Sequence, residues 1–263
     1  MAWDPQAYLQ FSDLRNRPAR ELLARVPHDK PRLCVDLGCG PGNSTELLSE
    51  RWPNARLIGV DNSPDMIANA KLAMPSAEFA LGDIAKWEPD EAPDVIFANA
   101  SLQWVPSPLS TLAQLIAYLA PHGVIAIQVP ANHNRPPHTL IDNALRDVGL
   151  AQLADSQSRS RHVLRKVEYY NTFESAGLKA DVWDTEYLQV LSGSDSVMDW
   201  LRGTALVPIL SALEDVDKSN FLDALQPLLN AHYPQRADGK TLFPFLRRFA
   251  VANCFALVLG ERV

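Results

Sequence analysis

Cysteine is scarce in this chain. Three residues, Cys34, Cys39 and Cys254, are an odd set among 263, which argues against a disulfide framework. Cys34 and Cys39 lie five apart in an apolar strand-turn segment with no Cys/His pair following, so the spacing points to reduced thiols rather than a metal site. Positive charge is also short, with 24 Lys and Arg against 31 Asp and Glu and a net charge of -7. A general nucleic-acid binder needs a basic face, so the charge argues against that class. A small anionic ligand is not, because a few local cations dominate a pocket whatever the total. Membrane-length apolar runs are missing too: the longest late one, Phe249 to Gly260, is about half a span. The opening MAWDPQAYLQF has neither the basic nor the apolar part of a signal peptide. The expectation is a cytoplasmic protein with no membrane and no protein partner implied.

The chain has enough apolar residues for a real core: 47% are hydrophobic and 21% charged. Its first half alternates short apolar runs with helical patterns. Arg32–Asp36, Arg56–Asp61, Glu78–Leu81, Asp94–Ala98 and Gly123–Pro130 read as strands, with helices at Asn43–Arg51, from Ser63-Pro64-Asp65 onward, and at Leu109–Leu119. Ser63 supplies an N-cap and Pro64 a first helical residue. Strand-helix alternation implies a parallel sheet covered on both faces. The second half is less regular. Residues 131–165 are polar, with one helix near Leu140–Val148; further helices fall at Val167–Ala176, Val197–Leu201 and Phe221–Leu229, and strands at Val182–Leu191 and Phe245–Ala252. The stripe Phe221, Leu222, Leu225, Leu228, Leu229 has helical spacing and reads as core, as do Trp52, Trp87, Trp183 and Trp200.

After the first strand comes Asp36-Leu-Gly38-Cys39-Gly40-Pro-Gly42-Asn43-Ser-Thr. Glycines let a backbone turn tightly and approach a ligand. Dinucleotide dehydrogenases need G-x-G-x-x-G or A; here Asn43 occupies the third small position, so a nicotinamide enzyme is disfavoured. Asp36 stands two residues before the first glycine. A pyrophosphate prefers donors at such a turn, whereas a carboxylate suits a cationic group; the plain alternative is that Asp36 bonds loop amides. Asp61 ends the second strand, nineteen residues beyond Gly42, where it can accept both ribose hydroxyls. Asp83 follows the third strand, placed for an adenine amino group with Ile84 on the ring. The fourth strand runs into Asn99-Ala100-Ser-Leu-Gln103-Trp104, at the edge where open α/β sheets bind ligands. Each is a plausible turn residue alone; four in series, each after its own strand, form a site.

The segments DLGCGPGNST, GVDNSPDMI, GDIAKW and FANASLQWV resemble class I S-adenosylmethionine methyltransferases, and the resemblance covers roughly residues 30–130. WDPQAYLQFSDLRNRPAREL, IDNALRDVGL, VEYYNTF and YPQRADGKTLFPFLRRFAVA narrow it to the trans-aconitate methyltransferase group. The resemblance implies a Rossmann-like α/β fold: a mostly parallel, twisted, seven-stranded sheet with an antiparallel last strand, plus a helical cap. It implies one methyltransferase domain over 1–263, with 30–130 as cofactor core and 1–29, 131–180 and 192–244 on the cap or substrate side. The cofactor would be S-adenosylmethionine, held by Asp36, Gly38, Cys39, Gly40, Gly42, Asn43, Asp61, Asn62, Met66, Asp83, Ile84, Asn99, Ala100, Trp104 and Arg17. The acceptor would be a small anionic carboxylic acid, trans-aconitate in this group, met by Tyr8, Gln103, Trp104, His133 and Arg247, with no metal.

Several of these residues have plainer readings. Arg247 and Arg248 are neighbours in a strand and point to opposite faces, so one alone enters a pocket; the resemblance favours Arg247, against a surface arginine. Arg17 and Tyr8 belong to a lid-like N-terminal segment, Arg17 facing the methionine carboxylate or the substrate. His133, Arg135 and His138 follow the fifth strand and are otherwise solvated loop residues. The run Arg159, Arg161, Arg165, Lys166 reads as a solvated face. Trp104 stacks on substrate, walls the pocket or packs in the core. Another carboxylate acceptor on the same fold, or a cofactor binder without turnover, are the competing functions.

Overall fold

A computed structural model describes residues 12–160 and 163–254. Helix α1 (Ser12–Ala24) leads into β1 (Leu33–Leu37), α2 (Asn43–Arg51), β2 (Arg56–Asp61), α3 (Pro64–Ala73), β3 (Glu78–Leu81), β4 (Val95–Asn99), α4 (Pro108–Ala117) and β5 (Val124–Pro130). The helix start at Ser63 is as the sequence predicts: the Met66 N–H donates to Ser63 Oγ at 3.4 Å, with Pro64 in the first turn. There follow α5 (His138–Asp147), α6 (Ala151–Ser160), α7 (Lys166–Ser175), β6 (Leu178–Ser192), α8 (Ser196–Arg202), α9 (Val207–Leu210), α10 (Asp215–His232) and β7 (Lys240–Cys254).

The strands form one seven-stranded sheet in the order β3-β2-β1-β4-β5-β7-β6, parallel except for β7. Register fixes which side chains share a face. Asp36 pairs with Gly59 on one side and Phe97 on the other, and Asn99 pairs with Gln128. Alternation along each strand therefore puts Asp36, Asp61, Asn99 and Gln128 on a single face at the carboxyl ends of four adjacent strands. Gly59 lies between two of them. A Cβ there would stand 2.6 Å from the Phe79 ring and 2.9 Å from Cys39 Sγ, so the glycine admits the small cluster of Cys39, Ile67, Ala70 and Phe79 that seats α3 on β2 and β3.

The chain divides into two compact units. Of the described residues, one comprises 16–129, 164–183 and 248–254; the other takes 12–15, 130–160, 163 and 184–247. The first holds the fully buried strand residues Val35, Leu37, Ile96, Phe97, Ile125 and Ile127. In it Trp183 stacks on Phe249 at 4.8 Å between centroids. The second has a core of its own built on Trp200, Phe221, Leu225, Leu229 and Phe243, joined by Ile141, Leu145 and Ala154. The Phe221–Leu229 stripe is thus core, as its spacing predicts.

Two features depart from the sequence reading. Strands β6 and β7 run fifteen residues each, longer than the apolar runs that announced them. In β6, Lys179, Asp181 and Glu186 lie exposed along a strand at the sheet edge, so its polar positions carry strand structure without an apolar pattern. Helix α6 forms within 131–165, where one helix was expected; its Ala154 is fully buried in the second unit's core and Leu153 packs beside it. Tertiary burial holds a helix that its Gln, Asp and Ser content would not.

Phe221→Ala removes a ring with no exposed surface and is expected to cost about 3–5 kcal/mol. Urea unfolding of the two proteins measures it; a loss below about 1 kcal/mol would show that this core collapses around the gap.

Candidate active site

The turn after β1 is tied to β2 by its backbone: the Gly38 and Cys39 N–H groups both donate to the Val60 carbonyl, at 2.7 and 3.1 Å. Gly38 sits at φ +75°, and a Cβ on it would lie 2.2 Å from that of Ser101, whose hydroxyl donates to the Leu37 carbonyl at 2.6 Å. No side chain fits there. Gly40, at φ +55°, has nothing within 4 Å of an added Cβ, so the turn presents open backbone. Gly42 caps α2 at φ +101°, and Asn43 is the first helical residue. The Cys39 side chain packs in the Phe79 cluster, where burial raises its pKa, and its thiol donates to the Gly40 carbonyl at 3.6 Å.

Asp36 is wholly buried. Its Oδ2 accepts from the Ser44 and Thr45 hydroxyls, both at 2.7 Å, while Oδ1 is buried without a hydrogen-bond partner. It bonds no loop amide, the plain alternative; it ties β1 to the first turn of α2 with one oxygen and leaves the other unused. Burial pushes this carboxyl up to about 6 from the ordinary 3.8, the two hydroxyls pull it part way back, and the nearby Asp61 charge raises it. Asp61 accepts from Gly40 N–H through Oδ2 and from Ser63 N–H through Oδ1, both at 2.9 Å, joining the glycine turn to the start of α3. Asn62 beside it is exposed and Met66 buried. Asp83 accepts from Ala85 N–H at 3.0 Å and opens a single helical turn that begins at Ile84.

At the end of β4, Ala100 adopts φ +55° and its N–H donates to the Gln128 carbonyl at 2.8 Å. Gln103 donates to the Ala100 carbonyl at 2.7 Å. Asn99 Oδ1 and Gln103 Oε1 are buried and without partners. Trp104 is 51% exposed, which removes it from the core. Register and hydrogen bonds so bring together Asp36, Gly38, Gly40, Asp61, Asn99, Ala100 and Gln103. Arg17 is 65% exposed in α1 and donates to Glu21 at 2.9 Å.

In the second unit Arg247 is 5% exposed, its guanidinium 4.5 Å above the Phe245 ring. Its neighbour Arg248, in the first unit, donates to the Leu164 carbonyl at 2.8 Å. Asn132 and Leu246 bond reciprocally, at 2.9 and 2.8 Å, pinning the chain after β5 to β7 one residue from His133 and one from Arg247. Arg135 pairs with Glu186, both half exposed. Tyr8 lies outside the described residues. Among the described residues no three His, Cys, Asp or Glu gather as metal ligands, and no helix is long and apolar enough to cross a membrane. Three participants escaped the sequence reading. Ser44 and Thr45 were visible as hydroxyls opening a helix, and Gln128 as the lone polar residue in an apolar strand.

This strand order, with a glycine turn after β1 and acids at the ends of β1 and β2 and just after β3, defines a class I methyltransferase fold. A methyltransferase-domain family model matches residues 11–181. A trans-aconitate 2-methyltransferase of Methylobacterium radiotolerans is 43% identical over 255 residues, covering 95% of this chain and 98% of that protein. Among solved structures, a putative methyltransferase from Bacillus halodurans aligns with a TM-score of 0.58 at 12% identity, over 91% of this chain and 100% of the other. The plantazolicin methyltransferase BpumL in complex with SAH aligns at 0.52 and 16% identity, over 95% and 90%. The chain belongs to the methyltransferase family, in the group that holds the trans-aconitate 2-methyltransferases.

Because the folded-state pKa of Asp36 lies above its unfolded value, the native state holds the proton more tightly and loses stability as pH rises from about 4 to about 6. The ionised form carries a penalty of roughly 3 kcal/mol. Asp36→Asn is therefore expected to unfold at higher urea than the wild type at pH 7.5 and at the same urea below pH 4. Equal midpoints at pH 7.5 would mean that Asp36 is solvated or paired in solution.

Proposed function

We propose that this protein transfers a methyl group from S-adenosylmethionine to one carboxylate of trans-aconitate, giving a monomethyl ester and S-adenosylhomocysteine. The new C–O bond forms as the methyl–sulfur bond breaks, and its electron pair stays on sulfur. The observation that carries the cofactor reading is the buried, unpartnered Asp36 Oδ1 beside a glycine turn with open space at Gly40. An orphaned carboxylate oxygen costs stability unless a ligand satisfies it, and a cationic ligand satisfies it best. The acceptor reading is supported by 43% identity to a trans-aconitate 2-methyltransferase over nearly the full length of both chains.

In this reading Asp36 faces the methionine ammonium, and the backbone of Gly38, Cys39, Gly40, Gly42 and Asn43 lines the cofactor. Asp61 keeps lone pairs beyond its two amide bonds and receives the ribose hydroxyls. Asp83 receives the adenine amino group, with Ile84, Asn62 and Met66 around the ring, and Asn99, Ala100 and Trp104 border the reacting end. When bound, S-adenosylmethionine supplies an electrophilic methyl on a cationic sulfur. The acceptor needs no general base, since a carboxylate with an ordinary pKa near ~4 is already ionised. The protein's work is to hold an oxygen about 3 Å from the methyl in line with sulfur, worth roughly 7–11 kcal/mol.

The reaction cancels charge, so a cation on the reacting carboxylate would favour the ground state over the transition state. Cations therefore grip the other carboxylates. Arg247 is the leading one: its plane is fixed over Phe245, and a planar guanidinium meets a carboxylate with two parallel hydrogen bonds. Gln103 supplies a neutral contact, His133 is placed to reach an anion, Trp104 supplies an apolar wall, and Tyr8 and Arg17 belong to the same proposal. The protein would act as a single methyltransferase domain in the cytoplasm, with no nucleic-acid or protein partner.

Transfer of radiolabelled methyl to a panel of carboxylic acids, with trans- and cis-aconitate side by side, tests the reading. Strong labelling of the trans acid is expected; cofactor binding with no labelled acid would sink the acceptor. Arg247→Ala is expected to raise the KM for trans-aconitate about 10- to 100-fold, the loss of a charge-assisted pair, while cofactor affinity stays within twofold. Equal effects on both ligands would take Arg247 out of the acceptor's grip.

A further inference from the structure

Six of the seven residues of β5 are Val, Ile, Ala or Pro; the exception is Gln128. Its side chain is fully buried, and neither its amide oxygen nor its nitrogen has a hydrogen-bond partner in the protein. A buried amide left unpaired destabilises the fold, and a methionine of similar volume would avoid that cost. The backbone of the same residue, by contrast, is engaged: its carbonyl fixes the left-handed turn at Ala100. Only the side chain waits for a partner.

Register says where that partner lies. Gln128 is paired with Asn99 and shares a face with Asp36 and Asp61. Across the order β2-β1-β4-β5, adjacent strands are about 4.8 Å apart, so Gln128 stands about 10 Å beyond the strand of Asp36. Asp61 and Asp36 are the proposed ribose and ammonium contacts and Asn99 borders the reacting end of the cofactor, which leaves β5, one strand further, to the acceptor. Asn99 and Gln103, beside Gln128, also carry buried unpaired oxygens. All three are uncharged amides.

We propose that Gln128 is a specificity-determining residue that contacts the acceptor, its amide N–H donating to the non-attacking oxygen of the carboxylate to be methylated. The inference rests on the proposed carboxyl methyl transfer. A neutral donor orients that carboxylate without drawing off the negative charge that drives attack on the methyl, which a guanidinium in the same place would do. Cations at other carboxylates and an amide at this one select which of several carboxylates reacts.

The full-length chain carrying Gln128→Met tests this through four readouts: melting temperature, cofactor affinity, kcat/KM for trans-aconitate, and the ratio of monomethyl ester isomers by NMR. Expected are a melting temperature equal to or above the wild type, cofactor affinity within twofold, kcat/KM lower by about 10- to 100-fold, and a mixed ester product in place of a single isomer. Unchanged kcat/KM and isomer ratio would overturn the proposal, as would a lower melting temperature with the isomer ratio kept, which marks a structural amide. Wild-type protein that labels no trans-aconitate overturns the acceptor reading and this inference together, so the two failures are told apart by the wild type alone. If the Met variant does not fold, Gln128→Asn, which withdraws the amide by one methylene, decides: at least a tenfold fall in kcat/KM is expected, and wild-type kinetics there overturn the proposal.

Discussion

The carboxylate of Asp36 is the point on which the site depends. It lies at the end of β1, out of water, and is held by two hydroxyls from the first turn of α2. Those bonds set the distance between strand and helix, and so the path the glycine turn must take between them. The turn then needs positive φ at Gly38, Gly40 and Gly42, and at Gly38 it needs a bare Cα against Ser101. Burial works against the ionised carboxylate, and the two hydroxyls only partly offset this. A buried acid with one unpartnered oxygen lowers stability, a cost that functional sites commonly carry.

The same economy runs across the sheet. Register gathers Asp61, Asp36, Asn99 and Gln128 on one face, with Gly59 below Asp61, where a side chain would meet Phe79 and Cys39. From β2 to β5 the face changes from carboxylates to amides. In the proposed arrangement that gradient suits a reaction between a cationic sulfur and an anionic oxygen, with acids facing the positive ligand and neutral donors facing the negative group that must keep its charge. Arg247, the buried cation among the described residues, belongs to the unit with its own aromatic core.

What the sequence determined by itself were the features that depend on short range. Five strands, three intervening helices, the Ser63-Pro64 helix start and the acid after each of the first three strands follow from local periodicity and turn chemistry, and all are present in the structure. The choice between Arg247 and Arg248 was half legible, since alternation along a strand separates them and only packing decides which is buried. The full length of β6 and β7, the helix at Ala151–Ser160, the bond pattern of Asp36 and the isolation of the Gln128 amide were left to the tertiary structure. Each depends on burial and on partners far away in the chain: a polar edge strand has no apolar pattern to read, a helix of Gln, Asp and Ser forms only against an existing core, and a glutamine in an apolar strand declares neither its face nor its partners until the register with Asn99 is set.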